Sequence, residues 1–399
     1  MTIRFAERMD RLGTEGAFEV LARARQIEAA TGTHVVHLEI GEPDFATPDN
    51  IVEAAVAALH QGHTHYTQAA GIPEVRRSLA GFVGRRTGVE VDPDEIVLTP
   101  GSKNVLLFTL LSCVEAGEEV LYPDPGYPVY ESLVRFIGAV PVPVPLTEAH
   151  EFRIDMEQLE GLITPRTRML IVNSPQNPTG GVLTADDVAA VARIAQEHDL
   201  LVVSDEIYSQ IVYDRPHTSL FAQPGMRERT VLMDGMSKAY AMCGWRLGYG
   251  IAPKPLAERF AQLMINSSSC AAAFGQIAAM EAWESPTSQA AVDRMVGEFR
   301  HRRDVLVDGL NRIPGVHCTR PEGAFYAFPN IEGTGVDDRD LARGLLEEAG
   351  VAVLAGTAFG PGGRGFIRLA YTQGEDDITE ALDRIDRHLA SIKSRRVTA

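Results

Sequence analysis

A lysine follows a strand-like run and a short small-residue turn: residues 230–233, then Asp234-Gly-Met-Ser237-Lys238. Amines of this kind are scarce here, with only Lys103, Lys238, Lys254 and Lys393 in the chain. Other strand-like runs end in complementary groups. Residues 201–204 lead into Asp205 and, three positions on, Tyr208. Residues 169–172 lead into Asn173-Ser-Pro-Gln-Asn177-Pro-Thr-Gly180, and residues 95–98 into Thr99-Pro-Gly101-Ser102-Lys103 ahead of a helical pattern. A Gly-Ser loop at a helix N-terminus offers free N–H groups and the positive end of the helix dipole, which suits a phosphate. Arg246 adds a fork that grips phosphate with two hydrogen bonds. Amine, acid, phenol, amide and phosphate cradle make the donor set that pyridoxal phosphate needs. Lys238 would form a Schiff base with its aldehyde. Asp205 would keep the pyridine nitrogen protonated, so that the ring draws electrons. Tyr208 and Asn177 would hold the ring oxygen, and Ser237 and Arg246 the phosphate. Each residue has a plainer reading: Lys after Ser is usually surface, and Asp after a strand usually caps a helix. Five such coincidences at strand ends outweigh it.

These groups need a scaffold that brings strand ends together. Short β-rich runs (95–98, 119–122, 169–172, 201–204, 230–233, 248–251) alternate with helical patterns (48–60, 72–84, 103–114, 185–198, 255–265). This alternation predicts an α/β fold with a mostly parallel sheet covered on both faces. Such sheets bind ligands beyond the carboxyl ends of their strands. Asn177, Asp205, Tyr208, Ser237 and Lys238 then face one rim, joined by Tyr127 at the end of Pro123-Asp-Pro-Gly-Tyr127. A charged helical pattern over 290–311, strand-like runs at 316–318, 325–328 and 366–370, and a helix over 337–349 predict a smaller α/β unit. A helix near 16–30 joins it. The expected division is 1–47 and 290–399 for the small unit, with 48–289 forming the large one.

The 399 residues exceed one ordinary core. A net charge of −17 argues against general nucleic-acid binding and against docking on anionic membranes. The longest apolar run, 105–114, is about half of a membrane span. The first ten residues carry Arg4, Glu7, Arg8 and Asp10 and no apolar stretch, which argues against a secretory signal. Cys113, Cys243, Cys270 and Cys318 lack metal or disulfide spacing, as in a reducing cytoplasm. Two motifs mislead. Residues 360–365 spell Gly-x-Gly-x-x-Gly, but a strand-like run follows where the dinucleotide motif opens a helix. His60, His63 and His65 sit at an expected helix end without companion carboxylates or thiols, so a solvated turn is expected and no metal.

Ser237-Lys238-Ala-Tyr-Ala-Met-Cys-Gly-Trp-Arg246, Asn173 to Gly180, Ser204-Asp-Glu-Ile-Tyr208 and Gly41-Glu-Pro-Asp44 together resemble the class I and II aminotransferases. These are pyridoxal-phosphate enzymes of fold type I, and the aspartate-aminotransferase-like group is the nearest in pattern. The resemblance spans about residues 11–388. It implies a seven-stranded, mostly parallel sheet, an α-amino acid and a 2-oxo acid as substrates, and a homodimer with shared active sites. Lys238 would hold the cofactor and shuttle the proton, Asp205 the ring nitrogen, and Tyr208 and Asn177 the ring hydroxyl. Tyr127 would stack on the ring. Gly101 and the backbone N–H groups of Ser102 and Lys103 would take the phosphate with Ser237 and Arg246. Arg368 would fork the substrate α-carboxylate beside the Gly41 backbone, and Tyr66 would reach the partner subunit's phosphate. Two departures stand out: Cys243 where Thr or Pro is usual, and Ala271 to Ala273 where hydroxyl residues are common. They keep open a second outcome with the same cofactor, elimination, replacement or bond formation on an activated amino acid such as S-adenosylmethionine. A non-catalytic regulator of this fold normally carries a DNA-binding domain, and only about 40 residues precede Gly41 here.

Overall fold

The computed structural model describes residues 3–397. After the helix Gly16–Thr31 comes a short strand β1 (Val36–His37). The large sheet follows: β2 (Ile96–Thr99), β3 (Glu119–Asp124), β4 (Val140–Pro145), β5 (Thr167–Asn173), β6 (Leu201–Asp205), β7 (Thr230–Gly235) and β8 (Gly248–Ile251). Four short strands follow: β9 (Tyr326–Ala327), β10 (Val351–Ala352), β11 (Leu354–Ala355) and β12 (Ile367–Ala370).

The seven-stranded sheet has the order β2-β8-β7-β6-β5-β3-β4. Pairing is parallel from β7 through β4, and β8 alone runs antiparallel to both neighbours. The carboxyl ends of β2, β3, β5, β6 and β7 therefore share one rim. Gly248, the first residue of β8, sits on that rim too, paired with Thr99 and Gly235.

The central strands are apolar on both faces because both faces are covered. Met169 and Ile171 of β5 pack with Leu106 and Phe260 from the helices Lys103–Cys113 and Lys254–Ser267. Leu170 and Val172 point the other way, onto Val188 and Val191 of the helix Ala185–Glu197. This period-2 alternation with no polar face is what a parallel sheet between helix layers requires.

β4 is not among the expected strands, because Val-Pro-Val-Pro-Val-Pro reads as a breaker. It is an edge strand, bonded among the described residues only to β3. The N–H groups of Val140 and Leu146 bond to Glu118 and Asp124, so the odd positions Pro141, Pro143 and Pro145 point their missing N–H toward the open edge. There proline costs no ladder bond and blocks pairing with another chain. The short strands form the antiparallel trio β11-β12-β9 and the parallel pair β1-β10. Residues 316–318 form no strand: His317 makes an isolated bridge with Asn330. The long helix Pro286–Leu310 packs on the C-terminal helix Glu375–Val397.

Candidate active site

The rim opens into a cavity of about 510 Å³. Of the residues expected at the site, all but Gly101 and Tyr66 line it. Lys238 lies just past β7, and its amine donates a 2.5 Å hydrogen bond to the Gly41 carbonyl. The amine also lies over the rings of Tyr208 and Phe325, 6.0 and 5.7 Å from their centroids.

Asp205 ends β6 and is buried. Its carboxylate accepts from the Tyr130 hydroxyl at 2.6 Å and from the Ile207 N–H at 3.3 Å. Burial pushes its pKa up to about 7, against those two hydrogen bonds, with Asp234 and Glu206 adding to the rise. A cation brought against Asp205 reverses that effect, so this carboxylate suits a protonated ring nitrogen. Tyr208 and Tyr326 share a 2.7 Å hydroxyl contact, and burial holds the Tyr208 phenol well above its ordinary pKa. Tyr208 therefore stays a neutral phenol at physiological pH.

Arg368 of β12 is buried among the rings of Tyr326 and Phe359, 4.6 and 4.9 Å from its guanidinium carbon. Its hydrogen bonds go to neutral oxygens, the Glu39 carbonyl and the Asn177 amide, and its Nε has no partner among the described residues. Burial pulls its pKa below the usual arginine value. A buried guanidinium without a carboxylate is costly, and a ligand carboxylate relieves that cost.

The phosphate cradle lies on the β2 side. Gly101 has φ +87°, and a Cβ there would occupy the space of the Arg246 guanidinium. Ser102 precedes the helix Lys103–Cys113, and its side chain caps no backbone group. Arg246 is exposed and tied back by a 2.9 Å bond from Nη1 to the Cys243 carbonyl. Ser237 borders the same space. Free N–H groups, a hydroxyl and a guanidinium fit a phosphate, and Lys238, Asp205 and Tyr208 fit the pyridine ring and aldehyde. The site thus matches pyridoxal phosphate as a whole.

Tyr66 lies outside this cavity and is 87% exposed. Its neighbour Thr67 is pinned, donating its N–H to Cys270 Sγ at 3.4 Å and accepting from Gln276 at 3.2 Å. The 271–273 alanines therefore border the segment that carries Tyr66. Cys243 Sγ donates to the Ser237 carbonyl at 3.1 Å, within the cradle turn.

Three contributors were not legible beforehand. Tyr130 positions Asp205, and it sits one turn from Tyr127 in a stretch where any aromatic passes for core. Tyr326 fills the space a Cβ on Gly41 would take and covers Arg368. Glu15 reaches the cavity from just before the first helix, accepting from Lys103 and from the Tyr127 hydroxyl at 3.0 Å. Nothing in its local sequence signals this.

The family model for aminotransferase class I and II matches residues 33–385. An aspartate aminotransferase of Pyrococcus abyssi is 40% identical over 367 residues, 92% of this chain and 94% of that one. An aromatic-amino-acid aminotransferase of Thermococcus litoralis is 40% identical over 361 residues, covering 90% and 92%. The solved aspartate aminotransferase of Thermus thermophilus with maleate superposes with a TM-score of 0.93 at 37% identity, over 97% of this chain and all of the other. Fold, cavity and relatives agree: the chain belongs to the class I and II aminotransferases, pyridoxal-phosphate enzymes of fold type I that move an amino group between an amino acid and a 2-oxo acid.

Proposed function

We propose that Lys238 is the amine through which this aminotransferase holds its cofactor, and that the enzyme works in the cytoplasm as a homodimer whose active sites each draw on two chains. One observation carries the assignment: an amine (Lys238), a buried acid (Asp205) and a buried guanidinium (Arg368) face the same cavity. When bound, pyridoxal phosphate supplies an aldehyde for amine exchange and a cationic ring that takes up the electron pair released at the substrate Cα. The chain does the rest. Arg368 forks the α-carboxylate, and the neighbouring Gly41 backbone and Asn177 fix its orientation. The Lys238 amine, within reach of the substrate Cα, would act as the general base that takes and returns its proton. Asp205 holds the proton on the ring nitrogen. Tyr208 and Asn177 hold the ring oxygen, and Tyr127 supplies an aromatic face. Gly101, Ser102, the Lys103 backbone, Ser237 and Arg246 hold the phosphate, with Tyr66 arriving from the partner chain.

The division into 1–47 with 290–399 and 48–289 is proposed in the same spirit, with the helix Pro286–Leu310 bridging the two units. Four unpaired cysteines support a reducing compartment. No helix among the described residues is long and apolar enough to cross a membrane.

Lys238→Ala tests the centre of the proposal. The variant is expected to bind cofactor without covalent attachment, read from the visible absorbance and from mass after borohydride reduction. Its turnover should fall by at least about a thousandfold, with partial rescue by a small added amine. Undiminished turnover would remove Lys238 from the reaction.

A further inference from the structure

The substrate's α-carboxylate and amine are placed by Arg368 and Lys238, which leaves the direction of its side chain to be read from the rest of the cavity. The ring takes Tyr127, Asp205, Tyr208 and Asn177, and the phosphate takes the Ser102 and Ser237–Arg246 side. Glu42 lies against Cys243 on that same side. Beside these, the N-terminal segment and its neighbours give the cavity Glu15, Ala17, Phe18, Ile40 and the Lys103 side chain. Three are apolar. The two charged ones are spent on each other, since the Lys103 amine donates to Glu15 Oε1.

Glu15 occupies the N-cap of the helix Gly16–Thr31, yet its carboxylate caps nothing there. It turns instead into the cavity, where the same oxygen also accepts from the Tyr127 hydroxyl. The Lys103 amine is further held 5.5 Å from the Tyr127 ring centroid. An amine at this place would otherwise be the natural partner of an acidic side chain. With Glu15 on it, the amine is neutralised, and a second carboxylate entering the site meets Glu15 as a like charge.

We propose that Glu15 is a specificity-determining residue: by occupying Lys103 it turns the side-chain end of the site against dicarboxylic amino acids and in favour of neutral, apolar or aromatic ones. The inference rests on the aminotransferase reading given above. It concerns side-chain choice, which neither the fold nor the cofactor fixes.

The test uses the holoenzyme, Glu15→Gln, and the double variant Glu15→Gln with Lys103→Met. Glutamine keeps the length and the hydrogen-bond acceptor and removes only the charge. Two readouts are taken: the single-turnover half-reaction with phenylalanine and with aspartate, followed by the cofactor absorbance, and calorimetric binding of maleate, a dicarboxylate that cannot react. The wild type is expected to prefer phenylalanine. Glu15→Gln should shift the preference toward aspartate by about tenfold or more, the worth of one charge-assisted hydrogen bond, through apparent affinity and not through the limiting rate. Maleate should tighten in parallel, and the double variant should lose both gains. A preference and a maleate affinity within twofold of wild type in Glu15→Gln would overturn the proposal, as would a shift that survives loss of the Lys103 amine. Maleate binding reports the charge at this end even if neither amino acid reacts, so failure of the Glu15 assignment is told apart from failure of the reaction reading.

Discussion

At the scale of single residues, the site is arranged around groups held in costly states. Asp205 is the clearest. Its pKa of about 7 lies well above the 3.8 of a free side chain, because burial penalises the carboxylate. A folded-state pKa raised in this way contributes stability that is fully present below about pH 4 and is lost as the pH rises through 7. The cofactor-free protein therefore carries a buried charge at pH 8 that it does not carry at pH 4. Asp205→Asn keeps the acceptor for Tyr130 and removes that charge. Its cofactor-free form is expected to unfold at a higher temperature than wild type at pH 8, by an amount on the order of a few kcal/mol in stability. The gain should shrink toward zero as the pH falls to 4. The same variant should lose about a hundredfold or more in the half-reaction, since a positioned charge partner is gone. A stability difference that does not change with pH would show that Asp205 is not the titrating group. Asp205 was legible from its place after a strand. Tyr130, which tempers its charge, was not, because a side chain that acts through another leaves no spacing pattern of its own.

At the scale of elements, the loop after β2 shows how backbone shape fixes a side chain. Gly101 holds φ +87°, and the Arg246 guanidinium lies where a Cβ would stand. Gly101→Ala would strain the loop and push the guanidinium away from the cradle. Loss of one charge-assisted hydrogen bond to phosphate is expected to weaken cofactor binding by roughly ten- to a hundredfold, measured by titrating the cofactor-free protein. Unchanged affinity would mean that Arg246 does not need this position. The Gly-Ser loop was readable because its function sets its composition. β4 was not, because its three prolines read as breakers until its place at the sheet edge is known. Strand-to-loop chemistry is local and visible in sequence; which strand lies at the edge is a property of the whole sheet.

At the scale of the molecule, the helix Asp49–His60 carries two apolar stripes. Ile51, Ala55 and Ala58 are buried, whereas Val52, Val56 and Leu59 are exposed. Spacing alone could not say which stripe meets the core, and no periodicity marks the other as a surface for a second chain. Tyr66 follows this helix and stands outward on a segment pinned by Cys270 and Gln276. An exposed apolar stripe beside an outward tyrosine on an ordered segment supports a two-fold interface in which Tyr66 completes the neighbour's phosphate site. A shared site would have a consequence that an independent site lacks. Lys238→Ala and Tyr66→Ala should each be impaired alone. Mixed and allowed to exchange, they form hybrid dimers. In a hybrid, the site that keeps Lys238 draws an intact Tyr66 from the other chain, while the second site lacks both groups. Half the sites of each hybrid should recover. With free exchange of equal amounts about half the dimers are hybrids, so activity should rise to roughly a quarter of wild type. Exchange is verified by mass labelling of one chain. If labelled hybrids form and activity stays at the level of the separate variants, Tyr66 serves its own chain or none, and each active site is built from one chain alone.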